Sequence, residues 1–296
     1  MNTQINITEN GTMTLATAGK YCDRNIDIVV DVVADAPSIS ADADGIIART
    51  ATEYTNDTVT SIGQYAFYNY ADLASVSFAS VETVNDYAFQ NCSNLTTANF
   101  PSVESIGECA FDNCTSLVTV NFPLLKSAGK YTFRNTALTS VTDENFPKLY
   151  KIVYGCFYDC NALTVVELLN NKLDYPGNYA FDGCNNLKSV KIGSVNTVSV
   201  SMFAYCTALE IIDFGSVNTI NATAFRDTNL TTLIIRNPSK VATLTLTAIT
   251  NTPIQNGTGY VYVPSALVDS YKTATNWSTV ADQIRAIEDY PDITGG

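Results

Sequence analysis

The chain has 296 residues, a formal net charge of −13 and a pI near 4.3; a nucleic-acid binder usually shows a basic face, so no nucleic-acid partner is expected. It contains no histidine, which removes the commonest general base and metal ligand and every Ser-His or Cys-His arrangement. No run of 18 apolar residues occurs, and no transmembrane helix is expected. Met1 to Asn6 carries neither a basic n-region nor an apolar h-region, so no Sec signal peptide is expected either.

Residues 1–44 do not repeat. Ile5 and Ile7, Asn10-Gly11, then Thr12, Thr14 and Leu15 predict a hairpin with an Asn-Gly turn. Ile26, Ile28, Val30 and Val32 alternate with Asp27, Val29 and Asp31 and predict a further strand. This is read as a small β module. A linker is expected over Ala34 to Gly45, in which Asp42-Ala43-Asp44-Gly45 is a turn without the later ligands of a calcium loop.

From residue 45 to 263 a unit recurs, V-x-x-I-G-x-x-A-F-x-N-C-x-x-L-x-x-V-x-F-P, seen most clearly over Val81 to Pro123. A repeat of this length means a solenoid, in which one coil cannot bury its own apolar face and stacking completes the core. Phe67, Phe89, Phe111, Phe133, Phe157, Phe181, Phe203 and Phe225 mark eight coils at intervals of 22 or 24 residues, and Val241, Leu244 and Ile249 mark a ninth, degenerate one. The expected fold is a β-rich (α/β) solenoid, a right-handed array of about nine coils whose phenylalanines form an internal column. Cys92, Cys114, Cys160, Cys184 and Cys206 share one slot with Tyr70, Thr136 and Thr228, which reads as packing. Cysteines spaced one per coil do not converge on a metal, and no cofactor is expected. Residues 264–296 are read as a helical cap: a first helix with Leu267, Val268 and Tyr271, and a second with Trp277, Val280, Ile284 and Ile287.

The repeat resembles the BspA-type leucine-rich repeat, over residues 46 to 263. That resemblance implies a bacterial surface or secreted adhesin. Ile7-Thr8-Glu9-Asn10-Gly11-Thr12, Ala16 to Tyr21 and Asn25-Ile26-Asp27 resemble the N-terminal segment of tail-associated proteins of phages and prophages of gut bacteria. Together the two resemblances imply a non-enzymatic phage or prophage adhesin in a virion or extracellular setting. It would recognise a bacterial surface glycan or protein and contact other virion proteins through residues 1–44. The alternatives are a virion protein using the solenoid as a spacer and a bacterial cell-surface adhesin.

The acid pairs Asp143-Glu144 and Glu288-Asp289 read as solvated charges, and nothing sets two carboxylates about 5–10 Å apart across a cleft, as glycosidase chemistry requires. Binding residues are sought instead. Between Arg49 and Lys126 there are eight acids and no base, whereas Lys126 to Lys191 holds eight bases and six acids together with both 24-residue intervals. In that middle region Tyr150, Tyr154, Tyr158 and Tyr175 fill slots that are polar in other coils, Tyr158 standing where Gln90, Asp112 and Arg134 stand. All of these slots, Asp112 included, are therefore expected to be exposed. The tyrosines, with Lys148, Lys151 and Asn178, form the candidate ligand site, the rings stacking on sugars and the polar groups taking hydroxyls. Packing of the inserted loops on themselves would explain the same tyrosines. The hydroxyl-rich strand face, with Thr97, Asn99, Thr119 and Asn121, is the alternative site.

Overall fold

The computed structural model describes residues 6–7, 13–14, 38–39 and 51–294. The chain divides into two compact units, Met1–Ala137 and Leu138–Gly296. Asn6–Ile7 pairs antiparallel with Met13–Thr14, as the hairpin reading requires. Its turn, the strand expected over 26–32, the turn at 42–45 and the opening of the solenoid at 46–48 lie outside the described residues. Ser38–Ile39, inside the stretch read as a linker, pairs parallel with Ser61–Ile62.

In the first unit each coil contributes two short strands to two parallel ladders. Glu53–Thr55, Ser75–Ser77, Thr97–Asn99 and Thr119–Asn121 form one; Ser61–Ile62, Thr83–Val84, Ser105–Ile106 and Ser127–Ala128 form the other. The pattern L-x-x-V-x-F places Leu95, Ala98 and Phe100 inside, each fully buried, because alternate residues of a strand point to opposite faces. The second ladder leads into the A-F turn. There, two residues per coil take left-handed φ, for example Tyr87 at 59° and Asn91 at 62°. With these two residues turned, the N–H groups of Tyr87, Phe89 and Asn91 all donate to the next coil, at 2.8, 2.8 and 2.9 Å. Asparagine tolerates this conformation better than most L residues. Glycine at 107 answers a different demand, since a Cβ there would lie 2.6 Å from the backbone nitrogen of Asp86.

The phenylalanines stack as expected within each unit. Phe67–Phe89 and Phe89–Phe111 are 4.8 and 5.0 Å apart and nearly parallel, and Phe157–Phe181 and Phe181–Phe203 repeat this at 5.2 and 5.3 Å. A second column, Phe78–Phe100–Phe122, runs beside the first unit's. The cysteine slot is internal too: the buried thiols of Cys92, Cys114, Cys184 and Cys206 donate to the carbonyls of Phe67, Phe89, Phe157 and Phe181 in the preceding coil.

The second unit continues the same logic in a parallel sheet of Ser140–Thr142, Val165–Leu173, Ser189–Val198, Ile211–Phe214, Thr232–Ile235, Tyr260–Val263 and Ile284–Ala286. The register slips between Leu168 and Lys172, where the longer coil loops out. The Asp143 carboxylate, read from sequence as solvated, accepts the N–H groups of Leu169 and Asn170 at 2.7 and 2.9 Å. The two long coils thus brace one another.

The terminal region is only partly helical. Ser265–Leu267, Val268–Thr273 and Trp277–Gln283 are short helices, but Ile284, expected on a helix, begins a strand parallel to Tyr260–Val263. Pairing to the open sheet edge satisfies backbone groups that a helix would have left exposed. Fully buried Trp277 donates its indole N–H to the Ala242 carbonyl at 2.6 Å, and the Tyr271 hydroxyl accepts the Ala242 N–H at 3.0 Å. These two side chains close the last coil.

Candidate functional site

Two of the predicted surfaces can be built from the coils. On the strand face of the first unit, Asn121 donates from Nδ2 to Oδ1 of Asn99 at 2.7 Å, and Asn99 donates to the Ser77 hydroxyl at 2.8 Å. Thr119 and Asn121 are exposed, Thr97 and Asn99 half-buried. The row is a comb of amides and hydroxyls that already bond to one another along the coil axis.

The tyrosine surface belongs to the second unit. Tyr150 and Tyr154 are 39% and 37% exposed, and Lys148, Lys151 and Asn178 are exposed as well. Tyr150 precedes the strand Lys151–Ile152, whose register partner is Tyr175–Pro176; the Tyr175 side chain lies outside the described residues. Among the described residues neither Lys148 nor Lys151 makes an ion pair. Asn178 accepts the Val200 N–H at 3.2 Å. The residue that sequence reasoning missed is Tyr179, whose ring centroid is 5.1 Å from that of Tyr154 at 48°. Its slot was legible: Tyr65, Tyr87, Tyr131 and Tyr179 all occupy the first left-handed position of the turn.

Two expectations are corrected. Tyr158 is half-buried, because its slot is an inward one. Asp112 in that slot is 0% exposed and Gln90 2%. They are polar because they pair across coils: Gln90 donates to Asp112 at 2.8 Å, and Arg134 donates to both Asp112 oxygens at 2.7 and 2.6 Å. Nor is the return of positive charge wholly a ligand signal. Lys126 pairs with Glu104 at 2.7 Å and Lys130 with Glu108 at 3.5 Å, one coil back. Three bases thus neutralise three acids in matching slots, which holds neighbouring coils in register.

Among the described residues no group of three His, Cys, Asp or Glu side chains is placed to hold a metal ion, and no helix is long and apolar enough to cross a membrane. What the tyrosine surface offers is aromatic rings with hydroxyl tips, with exposed lysines on the same unit.

The chain matches the BspA type Leucine rich repeat region in six copies, over residues 52–148 and 126–254. It shares its fold with a leucine-rich repeat protein from Bacteroides ovatus ATCC 8483, at 20% identity, 88% of this chain, 69% of that chain and a TM-score of 0.56. It is also similar to the T. pallidum leucine rich repeat protein, at 23% identity over 70% of this chain and 87% of that one, TM-score 0.44. A leucine rich cell surface protein from Faecalibacterium prausnitzii A2-165 is similar at 17% identity over 92% of this chain and 96% of that one, TM-score 0.32. No curated protein sequence matches.

Proposed function

This chain belongs to the BspA type leucine-rich-repeat family, and we propose on that premise that it is a non-enzymatic binding module for a bacterial surface glycan or protein. The observation that carries the reading is the contact of exposed Tyr154 with half-buried Tyr179, with exposed Tyr150, Lys148 and Lys151 on the same unit, the two lysines making no ion pair among the described residues. Aromatic faces at a surface supply contact area with little loss of side-chain freedom, and their hydroxyl tips keep hydrogen bonds to water or ligand. Lysines without carboxylate partners can turn to ligand oxygens at small desolvation cost.

The test replaces Tyr150 and Tyr154 together by Ser and measures binding to intact bacteria and to immobilised surface glycans. Both rings are exposed, so the variant is expected to melt as the parent does and to lose binding. Asn99→Arg with Asn121→Arg is expected to leave binding unchanged. The reverse pattern moves the site to the strand face of the first unit.

The setting is proposed from sequence resemblance. Residues 7–27 are similar to phage tail-associated segments, so the module is read as carried on a phage or prophage particle, with residues 1–44 docking to other virion proteins. Immunodetection of the chain in purified particles supports this. Its confinement to the bacterial envelope favours the cell-surface reading, and its presence in particles that bind cells equally well without it favours the spacer.

A further inference from the structure

The outward strand face of the second unit changes character along its length. One outward row reads Val165, Ser189, Ile211 in register, and the next reads Glu167, Lys191, Asp213, Ile234, Tyr262. Outward positions on a one-sided sheet are normally wet, yet Ile234 is only 1% exposed and Tyr262 6%. The reason is the chain's own terminal segment. Tyr290 packs edge-on against Tyr262 at 5.2 Å, and Ile293 lines one side of an open cavity of about 210 Å³ on this face, with Glu167, Lys191, Ile211, Asp213 and Ile234. Ile211 remains 43% exposed at its mouth.

The charges around this cavity are not equivalent. Asp213 is occupied, because Arg236 donates to both of its oxygens at 2.8 Å. Glu167 and Lys191 sit directly opposite each other on neighbouring strands. Neither makes an ion pair among the described residues. An open carboxylate and an open ammonium therefore stand side by side above an aliphatic floor and wall. The cavity falls below the roughly 300 Å³ of ordinary drug-sized sites, a volume that matches an occupant on the scale of a single amino acid.

We propose that this cavity binds a small zwitterion with a branched aliphatic side chain, a free α-amino acid such as leucine. Its ammonium pairs with Glu167, its carboxylate with Lys191, and its side chain enters among Ile211, Ile234 and Ile293. A one-ended analogue forgoes one of the two charge-assisted hydrogen bonds that the zwitterion can make. This site is separate from the tyrosine surface and does not depend on it.

Calorimetric titration with L-leucine, 4-methylpentanoate and isopentylamine tests the assignment on the full chain. L-leucine is expected to bind at least about tenfold more tightly than either analogue. Lys191→Met should abolish the preference for leucine over the amine, and Glu167→Gln the preference over the acid; both positions are on the surface or half-buried, and thermal melts should match the parent. Ile293→Ser should weaken all three ligands. The Tyr150→Ser, Tyr154→Ser variant should bind leucine as the parent does, so failure of the surface-binding reading and failure of this one are told apart. No heat or shift from leucine up to about 10 mM overturns the proposal. So does equal binding of all three compounds, which would make the cavity an apolar cleft, and so does binding of aliphatic peptides with neither terminus free as tightly as leucine, which would make it an anchor for a protein partner.

Discussion

Arg134 holds Asp112 with two parallel hydrogen bonds, Nε to Oδ1 at 2.7 Å and Nη2 to Oδ2 at 2.6 Å, across one coil. The carboxylate is fully buried while the guanidinium is about one-third exposed, and the Asp112 carboxylate is the first cause of the raised pKa of Arg134. The pair is thus lopsided, and so are its expected mutant effects. Arg134→Met strands a buried carboxylate with only the Gln90 amide and should cost about 3 kcal/mol, whereas Asp112→Ala leaves a guanidinium that can reach water and should cost about 1–2 kcal/mol. Urea unfolding of both variants checks this; the opposite order would show that the carboxylate gains solvent when its partner goes.

The phenylalanine column predicts a large truncation effect. Phe111 stacks 5.0 Å from Phe89 and 5.7 Å from Phe133, so Phe111→Ala opens a cavity between coils that cannot approach, being held by backbone bonds on both sides. The expected loss is about 3–5 kcal/mol by chemical denaturation. A loss below about 1 kcal/mol would mean that the coils collapse onto the gap.

Asn113 tests the turn. It has φ 58°, donates to Asn91 at 3.2 Å and accepts from Asn135 at 2.8 Å. Asn113→Gly keeps the backbone relaxed and loses only the two ladder bonds, while Asn113→Val also forces a β-branched residue into the left-handed region. Val should be less stable than Gly by about 1–2 kcal/mol, read from paired urea midpoints. Equal stabilities would place the value of this residue in its amide alone.

Asp182 predicts a pH dependence. Burial, and then the neighbouring Asp159 carboxylate, push it up to about 7. In the unfolded chain it ionises near 3.8, so between these values the folded state holds the extra proton. Stability from this group is therefore fully present below about pH 4 and is lost as pH rises through about 7. Asp182→Asn should flatten that fall and be more stable than the parent at pH 8.5, with little gain at pH 4. Denaturant midpoints at the two pH values decide it, and an unchanged slope would assign the pH dependence to other groups.

Much of the fold was legible because it is periodic. The 22-residue interval, the phenylalanine column, the slot shared by cysteine and threonine, and the cap residues Tyr271 and Trp277 all follow from apolarity repeated at fixed spacing. Each coil states its own inward positions, and stacking adds the rest. What the sequence could not state was the destination of its polar residues. A carboxylate such as Asp112 looks solvated until the next coil supplies Arg134, and Lys126 and Lys130 look free until Glu104 and Glu108 are found one coil back. The insertions read as binding loops are braced by Asp143 from the neighbouring coil. The terminal strand Ile284–Ala286 and the seat of Ile293 over the sheet depend on an open edge and face that exist only once the last coils are stacked. Burial of apolar groups is set by local period, whereas burial of charge is set by which partner the tertiary structure delivers.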